Sequence, residues 1–149
     1  MRIALAVLAL LLVVPAASAK QRATVVIDPG HDLRANSATE PIGPGSSTMK
    51  IKDGGGTHGV VSGLREADLN LRVALRLRTL LERTGMRVVM TRTRTAGASI
   101  GNIARARIAN REGAALFLRI HADGSTDTSR HGLSTLYPAL HREIGRAHV

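Results

Sequence analysis

Ala23-Thr24-Val25-Val26-Ile27-Asp28-Pro29-Gly30-His31 is a β-branched run closed by turn residues, and it reads as a buried strand that ends in a loop. Working outward from it, Glu66 to about Thr84 has the spacing of a helix. Leu69, Val73, Leu77 and Leu80 fall on one stripe, and Arg72, Arg76, Thr79 and Arg83 fall on another that reads as a solvated face. Gly85 is placed to end that helix. Arg87 to Thr91 reads as a second strand around Val88-Val89-Met90, and Ala115 to Ile120 as a third. Between them, Asn102 to Arg111 reads as a shorter helix with Ile103, Ala106, Ile108 and Ala109 apolar. Leu133 to Tyr137 is a candidate fourth strand. Strand, helix, strand, helix, strand predicts an α/β domain with a mostly parallel twisted sheet flanked by helices. The stretch from Asp32 to Gly63 has no periodicity and contains Pro41, Pro44 and the Gly54-Gly55-Gly56 triplet, so it reads as a long functional loop.

Composition narrows the function classes. A chain of 149 residues implies one domain, and 44% hydrophobic with 21% charged residues excludes disorder. One Phe, one Tyr and no Trp argue against a platform that stacks nucleic-acid bases. With no cysteine there is no disulfide and no thiolate ligand, so any metal must be held by His, Asp or Glu. A net charge of +10 favours anionic partners, among them a negatively charged cell wall. Met1-Arg2-Ile3, an apolar stretch from Ala4 to Val14, Pro15 and Ala17-Ser18-Ala19 have the three parts of a secretory signal peptide. That run is shorter than the ~20 residues a spanning helix needs, so stable membrane insertion after cleavage is not expected. Residues 20–149 are then a single exported domain, and export also lowers the odds of a nucleic-acid partner.

In parallel α/β sheets, ligands bind outside the carboxyl ends of the strands. His31 follows the first strand and His121 follows the third, while Glu66 opens the first helix on its buried stripe. Topology therefore brings two imidazoles and a carboxylate to one edge. That is a zinc set with one open position, although a His that ends a buried strand is as often a hydrogen-bonded surface residue.

Five stretches in order carry a more specific signal: Val25-Val26-Ile27-Asp28-Pro29-Gly30-His31, Gly63-Leu64-Arg65-Glu66-Ala67-Asp68-Leu69-Asn70-Leu71, Val88-Val89-Met90-Thr91-Arg92, Arg107-Ile108-Ala109-Asn110 and Ile120-His121-Ala122-Asp123. Together they resemble the zinc-dependent N-acetylmuramoyl-L-alanine amidases of the bacterial cell wall, the type 3 amidases. The resemblance implies Zn2+ as cofactor, His31, Glu66 and His121 as its ligands, and peptidoglycan as substrate. It also implies hydrolysis of the amide between N-acetylmuramic acid and the L-alanine of the stem peptide, with a Glu as general base.

The departures are as informative as the matches. In the family that Glu lies well beyond the second His motif, so here it is expected beyond Val149. Glu40, Glu82 and Glu112 do not match its context, and Glu143 lies in a tail that reads like a translated sequencing adapter. The domain is thus expected to be incomplete at its C-terminus, and residues 20–149 to bind zinc weakly and turn over little or no substrate. Asp32 to Gly63 is longer than the family's compact form and reads as an inserted gate or lid over the cleft. Asp28 and Asp123 are candidates to support a metal-bound imidazole, with a turn role equally open for Asp28. His58 and His131 read as solvated. Two other readings stay open: a wall-binding module without catalysis, and a zinc peptidase acting within the stem peptide. The sequence does not identify an activator protein.

Overall fold

The computed structural model describes residues 22–95 and 99–137. Residues 1–19, read above as a signal peptide, and Glu143 lie outside them. Among the described residues, five strands and two helices follow in the order β1 (Thr24–Pro29), β2 (Asn36–Pro41), β3 (Met49–Asp53), α1 (Glu66–Arg83), β4 (Arg87–Met90), α2 (Asn102–Arg111) and β5 (Leu116–Ile120). The main sheet has the order β4-β1-β5, and both pairings are parallel. This is the expected α/β layer, with β1 at its centre.

Alternation along β1 assigns its two faces. Val25 and Ile27 join Ala74 of α1 in the buried core, and Leu77, Leu81, Val88, Met90, Leu118 and Ile120 pack around them. Val26 and Asp28, fully buried, point the other way, where α2 supplies Arg105 to the Asp28 carboxylate.

The buried face of α1 differs from the expected leucine stripe. Glu66, Ala67, Asn70, Leu71 and Ala74 are buried, whereas Val73 and Leu80 are exposed. Small side chains occupy much of the contact with the sheet, while Leu71 is buried with them and Leu77 and Leu81 pack against the core. Arg72, Arg76, Thr79 and Arg83 are exposed, as a solvated face requires.

The second correction concerns residues 32–63. They are not a structureless loop: β2 and β3 pair antiparallel in a separate two-stranded sheet, with an irregularity between Asn36 and Thr39. Glu40 anchors the segment to α2. The buried Glu40 carboxylate accepts hydrogen bonds from the backbone N–H groups of Asn102 (2.6 Å) and Ile103 (3.3 Å) and from Lys50 Nζ (3.2 Å). It thereby caps α2, whose own N-cap, Gly101, has no side chain to do so. A Cβ on Gly101 would overlap that carboxylate, so only glycine permits the approach.

Burial raises the Glu40 pKa, but the bonds to Asn102, Ile103 and Lys50 outweigh it and hold the group below its ordinary 4.5. A carboxylate with a depressed folded-state pKa stabilises the fold above its unfolded pKa, and the contribution disappears as pH falls through the folded value. Glu40→Gln is expected to cost about 1–2 kcal/mol at pH 7 in urea denaturation. The gap to wild type should close on acidification below pH 4.5; a gap that persists at low pH contradicts the assignment.

Leu133 to Tyr137 forms no strand. Leu133, Leu136 and Tyr137 are almost fully exposed, and the segment pairs with nothing among the described residues. No helix among the described residues is long and apolar enough to cross a membrane.

Candidate metal centre

The first strand ends at Pro29, the third main-sheet strand at Ile120, and α1 begins at Glu66, all at one edge of the sheet. The chain turns out of β1 through His31, which has a left-handed φ of 60°. That conformation costs an L-residue about 1–2 kcal/mol and sets the imidazole toward α1. His31, Glu66 and His121 come together there, with one ligand atom of each within 4.8 Å of the others.

Nε2 of His31 lies 3.4 Å and Nδ1 of His121 lies 3.2 Å from Oε1 of Glu66. The two rings meet edge to face with centroids 4.8 Å apart. Ligands about 2.0–2.1 Å from a tetrahedral ion sit roughly 3.4 Å from one another, so the donor set fits a small divalent metal.

His31 and Glu66 are held from behind. Nδ1 of His31 is 2.7 Å from Oδ1 of Asp53, at the end of β3. Asp53 also accepts from the N–H groups of Asp32 (3.1 Å) and Gly55 (2.8 Å) and from the Ser99 hydroxyl. Glu66 accepts from Ala122 N–H (3.0 Å), from Thr57 N–H (3.0 Å) and Oγ1 (3.1 Å), and from Asn70 Nδ2 (3.4 Å). Gly30 makes room for the second imidazole: a Cβ there would come within 2.7 Å of three His121 ring atoms.

The electrostatics match the geometry. Burial raises the Glu66 carboxyl, but the Ala122 and Thr57 N–H groups and His31 overcome it and bring its pKa to about 2. Burial, then the nearby Arg119 and His31, hold the His121 pKa below its ordinary value. A charged carboxylate and a neutral imidazole are the forms that bind metal.

The carboxylate behind an imidazole is Asp53, not Asp28 or Asp123. Asp28 is neither a turn residue nor a metal support. Fully buried in β1, it accepts from Arg105 Nη1 (2.5 Å), Thr91 Oγ1 (2.5 Å) and Arg119 Nε (2.9 Å). Asp123 is exposed. The Thr91-Arg92 pair finds its purpose beside this cluster. Arg92 donates to the carbonyls of Pro29, Gly30 and Ala67, fastening the end of β1 to the start of α1. Sequence reasoning missed Asp53, although an Asp directly before a glycine triplet was a usable signal for a side chain folded back into a site. Glu82 and Glu112 make surface ion pairs, with Arg78 and with Arg87 and Arg111. His58 and His131 are exposed.

An α/β protein that gathers two imidazoles and a carboxylate at the carboxyl edge of a parallel sheet belongs to the class whose chemistry sits at that edge. The particular family follows from the sequence match: residues 25–147 fit the model of the N-acetylmuramoyl-L-alanine amidases, and the chain belongs to that family. It is similar to the crystal structure of the N-acetylmuramyl-L-alanine amidase Ami1 from Mycobacterium smegmatis, at 28% identity and a TM-score of 0.65 over 71% of this chain and 49% of that one. Ami1 from Mycobacterium abscessus matches at 29% identity and a TM-score of 0.63, over 69% of this chain and 49% of that one. The catalytic domain of CwlV, an amidase from Bacillus (Paenibacillus) polymyxa var. colistinus, matches at 26% identity and 0.53, over 72% and 49%. The chain thus spans about half the length of these solved relatives. No curated protein matches it.

Proposed function

We propose that this protein is a zinc-dependent amidase that cuts the bond between N-acetylmuramic acid and the L-alanine of the peptidoglycan stem peptide. The observation that carries the reading is the convergence of His31, Glu66 and His121 within 4.8 Å, inside a chain that fits the amidase family over residues 25–147. These three side chains would hold the ion. Zinc bound there supplies a Lewis acid that polarises a carbonyl and lowers the pKa of water. Asp53 accepts the Nδ1 proton of His31 and so presents Nε2 to the centre, while Ala122, Thr57 and Asn70 keep the Glu66 carboxylate aimed and ionised. The general base expected of the family is a Glu outside the described residues, since Glu40, Glu82 and Glu112 are committed elsewhere. The signal-peptide reading of residues 1–19 supports action in the periplasm, the cell wall or outside the cell.

The test is digestion of purified peptidoglycan by the zinc-loaded protein, expressed from its uninterrupted genomic reading frame, with mass spectrometry of the soluble products. Stem peptides with a free L-alanine amine are expected. Products cut inside the stem would identify a peptidase, and wall binding without release a binding module. Asp53→Asn is expected to weaken zinc affinity by roughly 10–100-fold, because the His31 ring loses its charged acceptor. Competition with a chromogenic chelator measures this, and an unchanged affinity contradicts the role given to Asp53.

A further inference from the structure

A cavity of about 270 Å³ opens beside the metal centre, and both His31 and His121 line it. Its remaining walls are unusually cationic: Lys50 and Lys52 from β3, Arg105 from α2 and Arg119 from β5. Three of these charges have carboxylate partners. Lys50 pairs with Glu40 at 3.2 Å. Arg105 is buried against Asp28 and also donates to the carbonyls of Pro29 and Ile100. Arg119 uses Nε on Asp28 and Nη2 on Asn102, with its side chain 40% exposed. Lys52 is different. It lies on the same face of β3 as Lys50, it lines the cavity, and it has no carboxylate partner among the described residues. The one carboxylate on the cavity wall, Asp53, is already satisfied by Asp32, Gly55, Ser99 and His31. Glu40, Asp28 and Asp53 together set three negative charges against the four cations, so an anion entering the cavity meets a surplus of one positive charge.

We propose that this cavity is a carboxylate subsite, in which Lys52, with Arg119 lining the same cavity, holds a free carboxylate of the stem peptide while the scissile amide lies at the metal centre. The inference rests on the peptidoglycan reading above and adds what selects the substrate. A cavity of this volume admits a short acidic side chain. An amidated stem peptide would leave Lys52 facing a neutral group, and the charge-assisted bond would be lost.

The test compares two synthetic ligands, N-acetylmuramoyl-L-alanyl-D-glutamate γ-methylamide with a free α-carboxylate and the same γ-methylamide with that α-carboxylate amidated. Affinities are measured calorimetrically on the whole chain, both zinc-loaded and metal-free, so that a carboxylate sitting on the ion cannot imitate the effect. The acid is expected to bind roughly tenfold more tightly than the amide in both forms. Lys52→Gln should bring the two affinities within twofold, and Lys52→Arg should keep the preference. Equal affinities in wild type, or an undiminished preference in Lys52→Gln, overturn the proposal. If neither muropeptide binds, the peptidoglycan reading fails by itself, and the subsite is then probed with N-acetyl-D-glutamate by NMR. Saturable shifts that disappear in Lys52→Gln sustain it, and their absence in wild type overturns it.

Discussion

Glu66→Gln is expected to lower zinc affinity by more than ~100-fold, beyond the range typical of an outer-shell partner. Glu66 is the atom-level meeting point of the centre, since both imidazoles approach its Oε1. Its backbone neighbours, Ala122 and Thr57, are N–H donors, and the Asn70 amide also donates to it. A carboxylate accepts from all of them, whereas the –NH2 of glutamine would turn donor against donor on one side. Leaving such a buried pair unsatisfied costs about 1–3 kcal/mol, so the metal-free variant should also be less stable. Chelator competition reads the first effect and urea denaturation of the metal-free protein the second. Zinc affinity within tenfold of wild type would remove Glu66 from the ligand set.

The second large effect lies one residue inside the sheet from the site's entry turn. Asp28→Asn is expected to destabilise the fold by about 3–5 kcal/mol, as breaking a buried ion pair from one side does. Asp28 is fully buried and Arg105 is 3% exposed, so the guanidinium left behind cannot recover water. Carbonyls of Pro29 and Ile100 remain to solvate it, which places the effect toward the lower end. The half-exposed partner sets the contrast: Arg119→Gln should cost under about 1 kcal/mol. Exposed pairs such as Arg78–Glu82 should contribute about 0.3–0.5 kcal/mol. Denaturant midpoints at neutral pH compare all three, and a loss below 1 kcal/mol for Asp28→Asn would contradict the buried-hub assignment.

The main sheet was legible because its signals are local. Val25-Val26-Ile27 followed by Asp28-Pro29-Gly30 needs no distant partner to be read as a strand and stop, and α1 ends in Thr84 and Gly85 as its sequence suggests. Once the strands were placed, the carboxyl-edge rule located His31, Glu66 and His121. The hairpin was illegible for the opposite reason. Asn36-Ser37-Ala38-Thr39-Glu40-Pro41 has little β-propensity, and it is held by Glu40 reaching a helix 62 residues away. Asp53 was hidden likewise, because its bond to His31 crosses 22 residues through that unread hairpin. The leucine stripe of α1 misled because periodicity finds an amphipathic helix but not how near it lies to its sheet. Ala67, Asn70 and Ala74 occupy the contact, and only the packed structure reveals that.

The donors that converge on Glu66 come from segments far apart in the chain: His121 is 55 residues from Glu66, and Arg119 is 91 residues from Asp28. Closing loops of that size must precede any binding, and no stretch of nascent chain holds two of the three ligands close together. Two of the ligands are held by protein groups, Asp53 behind His31 and Ala122, Thr57 and Asn70 around Glu66. An ion that needs all three ligands at once binds only the closed chain, so its binding free energy is added to the stability of the whole fold.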